Sequence, residues 1–241
     1  MCFEHHSFSN PTASMRTYLT IPAALVFTCM QIEGAFIPIV NSGFESDPLA
    51  TGGWSNNVPT GWNDPQGADN TNFIENIAGF SSDGVMHVGF DANEFGMIYQ
   101  DLSVAWAPNT TYTFTVGVGN RAGTGAGIGR FGLGSSLDPL SPSGPNPDGP
   151  YSLQTPSVSF WDFDTATVVP DIGSHYFMDT AFTYTTGAVA PSGNIRISVQ
   201  EISGTRIHVD NFRLDAVPEP SSLATLCAGA GLLMRRRRAR A

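Results

Sequence analysis

The sequence predicts an all-β protein, an antiparallel β-sandwich, on three observations. Apolar and polar residues alternate with a period of two along several stretches, turn clusters separate those stretches, and no part of the central chain sustains a helical period. Half-buried strands without crossover helices pair antiparallel and stack as two sheets.

At the N-terminus, Arg16 precedes an apolar core from Tyr18 to Met30, and the small residues Gly34 and Ala35 follow. That is the charged, apolar, small-residue order of a secretory signal peptide. The reading assigns 1–35 to a signal cut after Ala35, with Met15 as a candidate true start. A lipoprotein signal ending at Cys29 is the alternative, and the bulky Thr28 stands against it. The three cysteines, Cys2, Cys29 and Cys227, all lie outside 36–216, so this body is expected to fold without disulfides.

The body's 181 residues suit one domain that buries about 70% of its unfolded surface. Tyr112, Phe114, Val116 and Val118 alternate with Thr111, Thr113, Thr115 and Gly117. Met178, Thr180, Phe182 and Tyr184 repeat the pattern, as do Ile195, Ile197 and Val199. Further strands are expected at Val85–Phe90, Met97–Leu102, Val158–Phe163 and Ile207–Leu214. Ser135 to Pro150 carries five prolines in sixteen residues, which excludes a central strand and predicts a surface loop. In the last strand, Ile207 and Val209 are in one phase and Phe212 and Leu214 in the other. Keeping both pairs in the core requires an extra residue near Asp210-Asn211, a β-bulge.

Charge narrows the partners. The body holds five arginines, no lysine and eighteen acids, a net charge of −13, which excludes nucleic acid as a ligand. Gly117 to Gly129 carries many glycines but neither a lysine nor a following helix, so it is no phosphate loop.

The tail, 217–241, reads as a third segment. Val217-Pro218-Glu219-Pro220 denies the backbone helix and central strand and leaves an extended handle. Ser221 to Met234 is a fourteen-residue apolar run, expected to form a short hydrophobic helix that enters a membrane only transiently. Arg235, Arg236, Arg237 and Arg238 then orient it with the arginines on the cytoplasmic side. This order resembles the PEP-CTERM sorting domain of Gram-negative bacteria. The resemblance implies recognition and cutting by an exosortase-type membrane protease, and export to the cell surface or extracellular matrix.

The body's edges carry a second resemblance. Asn41-Ser42-Gly43-Phe44-Glu45, the pairs Gly53-Trp54 and Gly61-Trp62, and the closing Val209-Asp210-Asn211-Phe212-Arg213-Leu214 are similar to galactose-binding-like jelly rolls, a group rich in carbohydrate-binding modules. The resemblance implies a jelly-roll sandwich and a structural calcium shared by the first and last strands, with Glu45 and Asp210 as its acidic ligands. Two carboxylates alone do not complete a calcium shell of six to eight oxygens.

Catalysis finds little support. His208 and Asp210 share a strand phase, which solvent-facing alternation explains, and Asp162 and Asp164 could form a same-face carboxylate pair, but any strand can place two acids this way. No Gly-X-Ser-X-Gly or His-Glu-X-X-His run occurs. The expectation is a non-catalytic exported protein associated with exopolysaccharide. A carbohydrate-binding module with a defined glycan is the alternative, with Trp62 and Asp64 as contacts, and a secreted glycan-active enzyme is the third reading.

Overall fold

The computed structural model describes residues 34–65, 72–91, 96–121, 123–140, 156–168 and 176–219. The expected signal segment, the 221–234 helix and the arginine block lie outside these. Among the described residues no helix is long and apolar enough to cross a membrane.

The fold is an antiparallel sandwich of two sheets. Sheet A has the order β2-β3-β4-β11-β6-β9, with β1 added beside β11. Its strands are β1 (Ala35–Ile37), β2 (Trp54–Ser55), β3 (Asn72–Glu75), β4 (His87–Phe90), β6 (Thr110–Asn120), β9 (Tyr176–Thr185) and β11 (Ile207–Pro218). Sheet B has the order β5-β10-β7-β8, formed by β5 (Met97–Ala105), β10 (Asn194–Gly204), β7 (Gly127–Ser135) and β8 (Ser159–Asp164). The core is the stack of inward residues, including Phe114, Val116, Val118, Phe131, Leu133, Ile197, Val199 and Phe212, all fully buried.

Every strand expected from alternation is present. β7 was not expected, because its Gly-Ile-Gly-Arg-Phe-Gly-Leu-Gly-Ser sequence breaks the pattern. Its glycines answer to close packing. A Cβ on Gly129 would lie 2.9 Å from Ile207 Cδ1, and one on Gly132 would lie 2.6 Å from Ser198 Oγ. β1, β2 and β3 are two to four residues long, too short to show a period.

The bulge is where the phase change requires it. Pairing of β11 with β6 slips between Asp210 and Arg213, and Asn211 has a φ of 50°. Asparagine tolerates that left-handed conformation better than most residues. Ile207, Val209, Phe212 and Leu214 are consequently all buried without exposure.

β11 also runs through the boundary drawn at Ala216. Val217 pairs with Thr111 and Pro218 with Thr110, and Glu219 N–H donates to Asn109 O at 2.8 Å. The first half of the sorting handle is therefore laid against β6. Among the described residues β1 pairs no further along β11 than Ala216, so Pro218 stands at an edge, where proline is tolerated.

Candidate functional site

The outer face of sheet A carries the unusual chemistry. Side chains alternate across a strand, so Glu75, His87, His208 and Asp210 all point away from the apolar core. Solvent-facing alternation was expected for His208 and Asp210, and the structure overturns it. His87, His208 and Asp210 are all 0% exposed, and Glu75 is 8% exposed. The segment from Ile77 to Met86 covers the face, led by Phe80, whose ring lies 4.8 Å from His87 and 5.0 Å from His208. Phe177 of β9 adds a third ring, 4.6 Å from Phe80. Glycines make the room. A Cβ on Gly119 would lie 2.6 Å from Phe177 Cζ, and one on Gly117 would lie 2.6 Å from Ser82 Cβ.

Two polar centres lie under and beside this cover. In the first, Glu45 and Asp210 grip one loop from opposite ends of the chain. Ser82 and Asp83 N–H donate to Asp210 Oδ2 at 2.6 and 2.8 Å, and Val85 and Met86 N–H donate to Glu45 Oε1 at 2.8 and 2.7 Å. Burial pushes the Asp210 carboxyl up to about 7; the three backbone donors oppose that and the Asp83 charge adds to it. Glu45 is delivered by a strained turn. Phe44 has a φ of 61°, an outlier for a bulky residue, and its full burial against Trp62 and Phe212 holds it there. Glycine at 43 leaves a gap between acids, since a Cβ there would lie 3.3 Å from Asp83 Oδ2 and 3.7 Å from Asp210 Oδ1. Glu45, Asp210 and the added Asp83 offer only oxygens, the donor type calcium takes.

The second centre joins three strands. His87 of β4 lies directly across from Glu75 of β3, with Nε2 3.6 Å from Glu75 Oε2. His208 enters from β11, its ring centroid 5.2 Å from that of His87. One ligating atom from each of Glu75, His87 and His208 lies within 4.8 Å of the other two. Arg121 Nη1 donates to both Glu75 oxygens, at 2.9 and 3.1 Å. Burial would raise the Glu75 carboxyl, but His87 and Arg121 outweigh it and hold it below its ordinary value. Burial pushes the His87 imidazole down, against the pull of Glu75. This centre was missed at the sequence level. A usable signal was the coincidence of His87 and Gly89, then Gly117 and Gly119, on one face, because glycines in strand interiors mark close approach.

The remaining sequence candidates have other places. Trp62 is 5% exposed, its ring packed against Phe44 and Phe212 and its Nε1 donating to Asn41 O at 3.2 Å. It is a core residue with no face for a sugar, which corrects the expected contact. Asp64 is half-buried, and its Oδ2 accepts from Asn72 Nδ2. Asp162 is held by Arg130 in a two-bond pair at 2.7 and 2.9 Å, and Asp164 Oδ1 accepts from Ala166 N–H. The carboxylate pair thus has structural duties. Arg235 to Arg238 and Pro220 lie outside the described residues.

The outer face of sheet B presents a different surface. Register places Tyr99, Ser198, Gly132 and Phe160 in one row across its four strands. Arg196 stacks 4.8 Å over Tyr99 while pairing with Asp101, and Arg130 stacks 4.4 Å over Phe160 while pairing with Asp162. Pro156 lies over Gly132 in the middle of the row.

Comparison with known proteins bears on both ends of the chain. Residues 216–238 match the PEP-CTERM protein-sorting motif, which marks the chain for exosortase processing and export to the cell surface. Residues 35–137 match the HpiC1-like family, described as HpiC1 cyclase. No curated protein matches the chain. Among solved structures, a family 16 carbohydrate-binding module is 15% identical, covering 73% of this chain and 97% of its own at a TM-score of 0.35. A family 61 module, solved with β-1,4-galactotriose, is 13% identical over 75% of this chain and 98% of its own, at 0.39. The tandem family 22 modules of a Paenibacillus barcinonensis protein are 10% identical over 79% of this chain and 48% of theirs, at 0.44.

Proposed function

We propose that the chain is a non-catalytic protein of the cell surface or extracellular matrix of a Gram-negative-type bacterium, released by an exosortase and associated with exopolysaccharide. One observation carries the reading: the matched sorting motif begins inside the last strand of the sandwich, so address and fold are continuous. The lysine-free, acidic body suits a hydrated polysaccharide matrix better than any polyanion.

With Trp62 buried, glycan contact belongs on the outer face of sheet B. Aromatic rings take the apolar faces of sugars. The Asp101 and Asp162 carboxylates beside Tyr99 and Phe160, 40% and 41% exposed, supply acceptors for sugar hydroxyls. Binding to a glycan array by wild-type protein and by Phe160→Ala tests this. Saturable binding lost in the variant supports a glycan module, and no binding to any glycan leaves a passive matrix role. Calcium at Glu45, Asp210 and Asp83 belongs to the same proposal: a cation there would relieve the charge that Asp83 places beside Asp210.

A second reading has its own observation. The 35–137 match favours ring-closing chemistry, and the Asp210 carboxyl at about 7 is in the range of a proton donor. Asp210 is enclosed, so this reading requires the 80–86 loop to open. A cyclisation activity abolished by Asp210→Asn in a still-folded protein would favour it.

A further inference from the structure

We propose that Glu75, His87 and His208 bind one borderline divalent metal ion of the zinc type, which staples β3, β4 and β11 together beneath the Phe80 cover. Two imidazoles and one carboxylate form a mixed nitrogen and oxygen donor set, which zinc accepts and calcium does not. The spacing fits. Ligand atoms about 2.1 Å from a tetrahedral ion lie roughly 3.4 Å apart, and His87 Nε2 and Glu75 Oε2 are already 3.6 Å apart. The three ligand atoms lie within 4.8 Å of one another, which small side-chain rotations bring to that spacing.

The distance that suits a shared ion is too long for a hydrogen bond. His87 is fully buried, and its ring nitrogens make no well-formed hydrogen bond, only loose approaches to the Glu75 carboxylate and the Phe80 backbone. A buried imidazole always carries at least one N–H and is costly to leave unsatisfied. A metal on one nitrogen removes part of that cost.

Arg121 grips the Glu75 carboxylate from the outer side and fixes its orientation, as partners behind a metal ligand do. Its side chain is 30% exposed, so solvent screens its repulsion of the ion. Phe80 and Phe177 shield the centre from bulk solvent, and a single water would complete the four-coordinate shell beside the three side chains. A staple of this kind serves a body that contains no cysteine to cross-link outside the cell.

The test uses the full chain, purified without chelator and carrying His5→Ala and His6→Ala so that the adjacent pair contributes nothing. Zn2+ alone and Co2+ alone are titrated in. One equivalent should bind per chain, Zn2+ should raise the melting temperature, and Co2+ should give the visible bands of a four-coordinate site with nitrogen ligands. His208→Gln and Glu75→Gln should each weaken binding roughly tenfold or more. Absence of the Co2+ bands overturns the proposal whether or not the variants fold. Binding unchanged in both variants overturns it as well, because the ion would then lie elsewhere.

Discussion

Gly119→Ala probes the covered face of sheet A at one atom. The new Cβ would lie 2.6 to 2.8 Å from three ring carbons of Phe177, where ordinary contact begins near 3.4 Å. The ring must retreat by close to 1 Å, but Phe80 lies behind it at 4.6 Å and is itself fully packed. Overpacking of this kind costs about 1–3 kcal/mol. Reduced freedom of the unfolded chain returns about 0.4–1 kcal/mol. The expected net loss is about 1–2 kcal/mol, or roughly 2–8 °C in Tm for a domain of this size. Phe177→Leu removes the obstacle, so Gly119→Ala should be neutral or stabilising in that background. Urea denaturation of the four proteins measures the coupling, expected at about 1–2 kcal/mol. Additivity of the two substitutions, or a Gly119→Ala single variant more stable than wild type, would refute the cover.

Other substitutions test other parts of the account. Asp210 is pushed up to about 7 in the folded state, so it contributes stability below its unfolded value near 4 that is lost as pH rises through 7. In chelator, Asp210→Asn should abolish that decline, on the order of 4 kcal/mol at most, and calcium should abolish it in wild type. His87 acts with the opposite sign: its folded value is lowered, so its contribution is present above pH 6.5 and lost on acidification. Adding calcium to metal-free protein at pH 7.5 should raise Tm in wild type and leave Glu45→Gln unmoved; an unchanged wild-type midpoint would reject calcium. Arg196→Ala should cost about 2–3 kcal/mol and make the turn after β7 protease-sensitive. The guanidinium is 8% exposed and bonds Asp101, Asp138 O and Ser136 O together.

Long strands with a partly polar outer face were legible from alternation, as β6, β9 and β10 show. The bulge in β11 was legible from a phase conflict between Val209 and Phe212, since burying both admits one geometry. The candidate site was less legible. Period-two reasoning fixes which residues share a face but is silent on whether a loop returns to cover it. His208 and Asp210 therefore read as solvent-facing, whereas Phe80 covers the first and the Ser82-Asp83 backbone covers the second. Glu45 and Asp210 were paired through a family resemblance, and their shared grip on residues 82–86 depends on loop geometry that local sequence does not encode. Trp62 misled for a related reason: a Gly-Trp pair marks a turn, but the ring folds inward against Phe44 and Phe212.

The most direct test of the central claim is the mass and cellular location of the protein made in an exosortase-bearing host. The account predicts a product in the surface fraction, shortened at the Val217–Pro220 motif, and retention in the cell when 217–241 is deleted. The intact 241-residue chain, soluble in the cell interior with both ends attached, would contradict it.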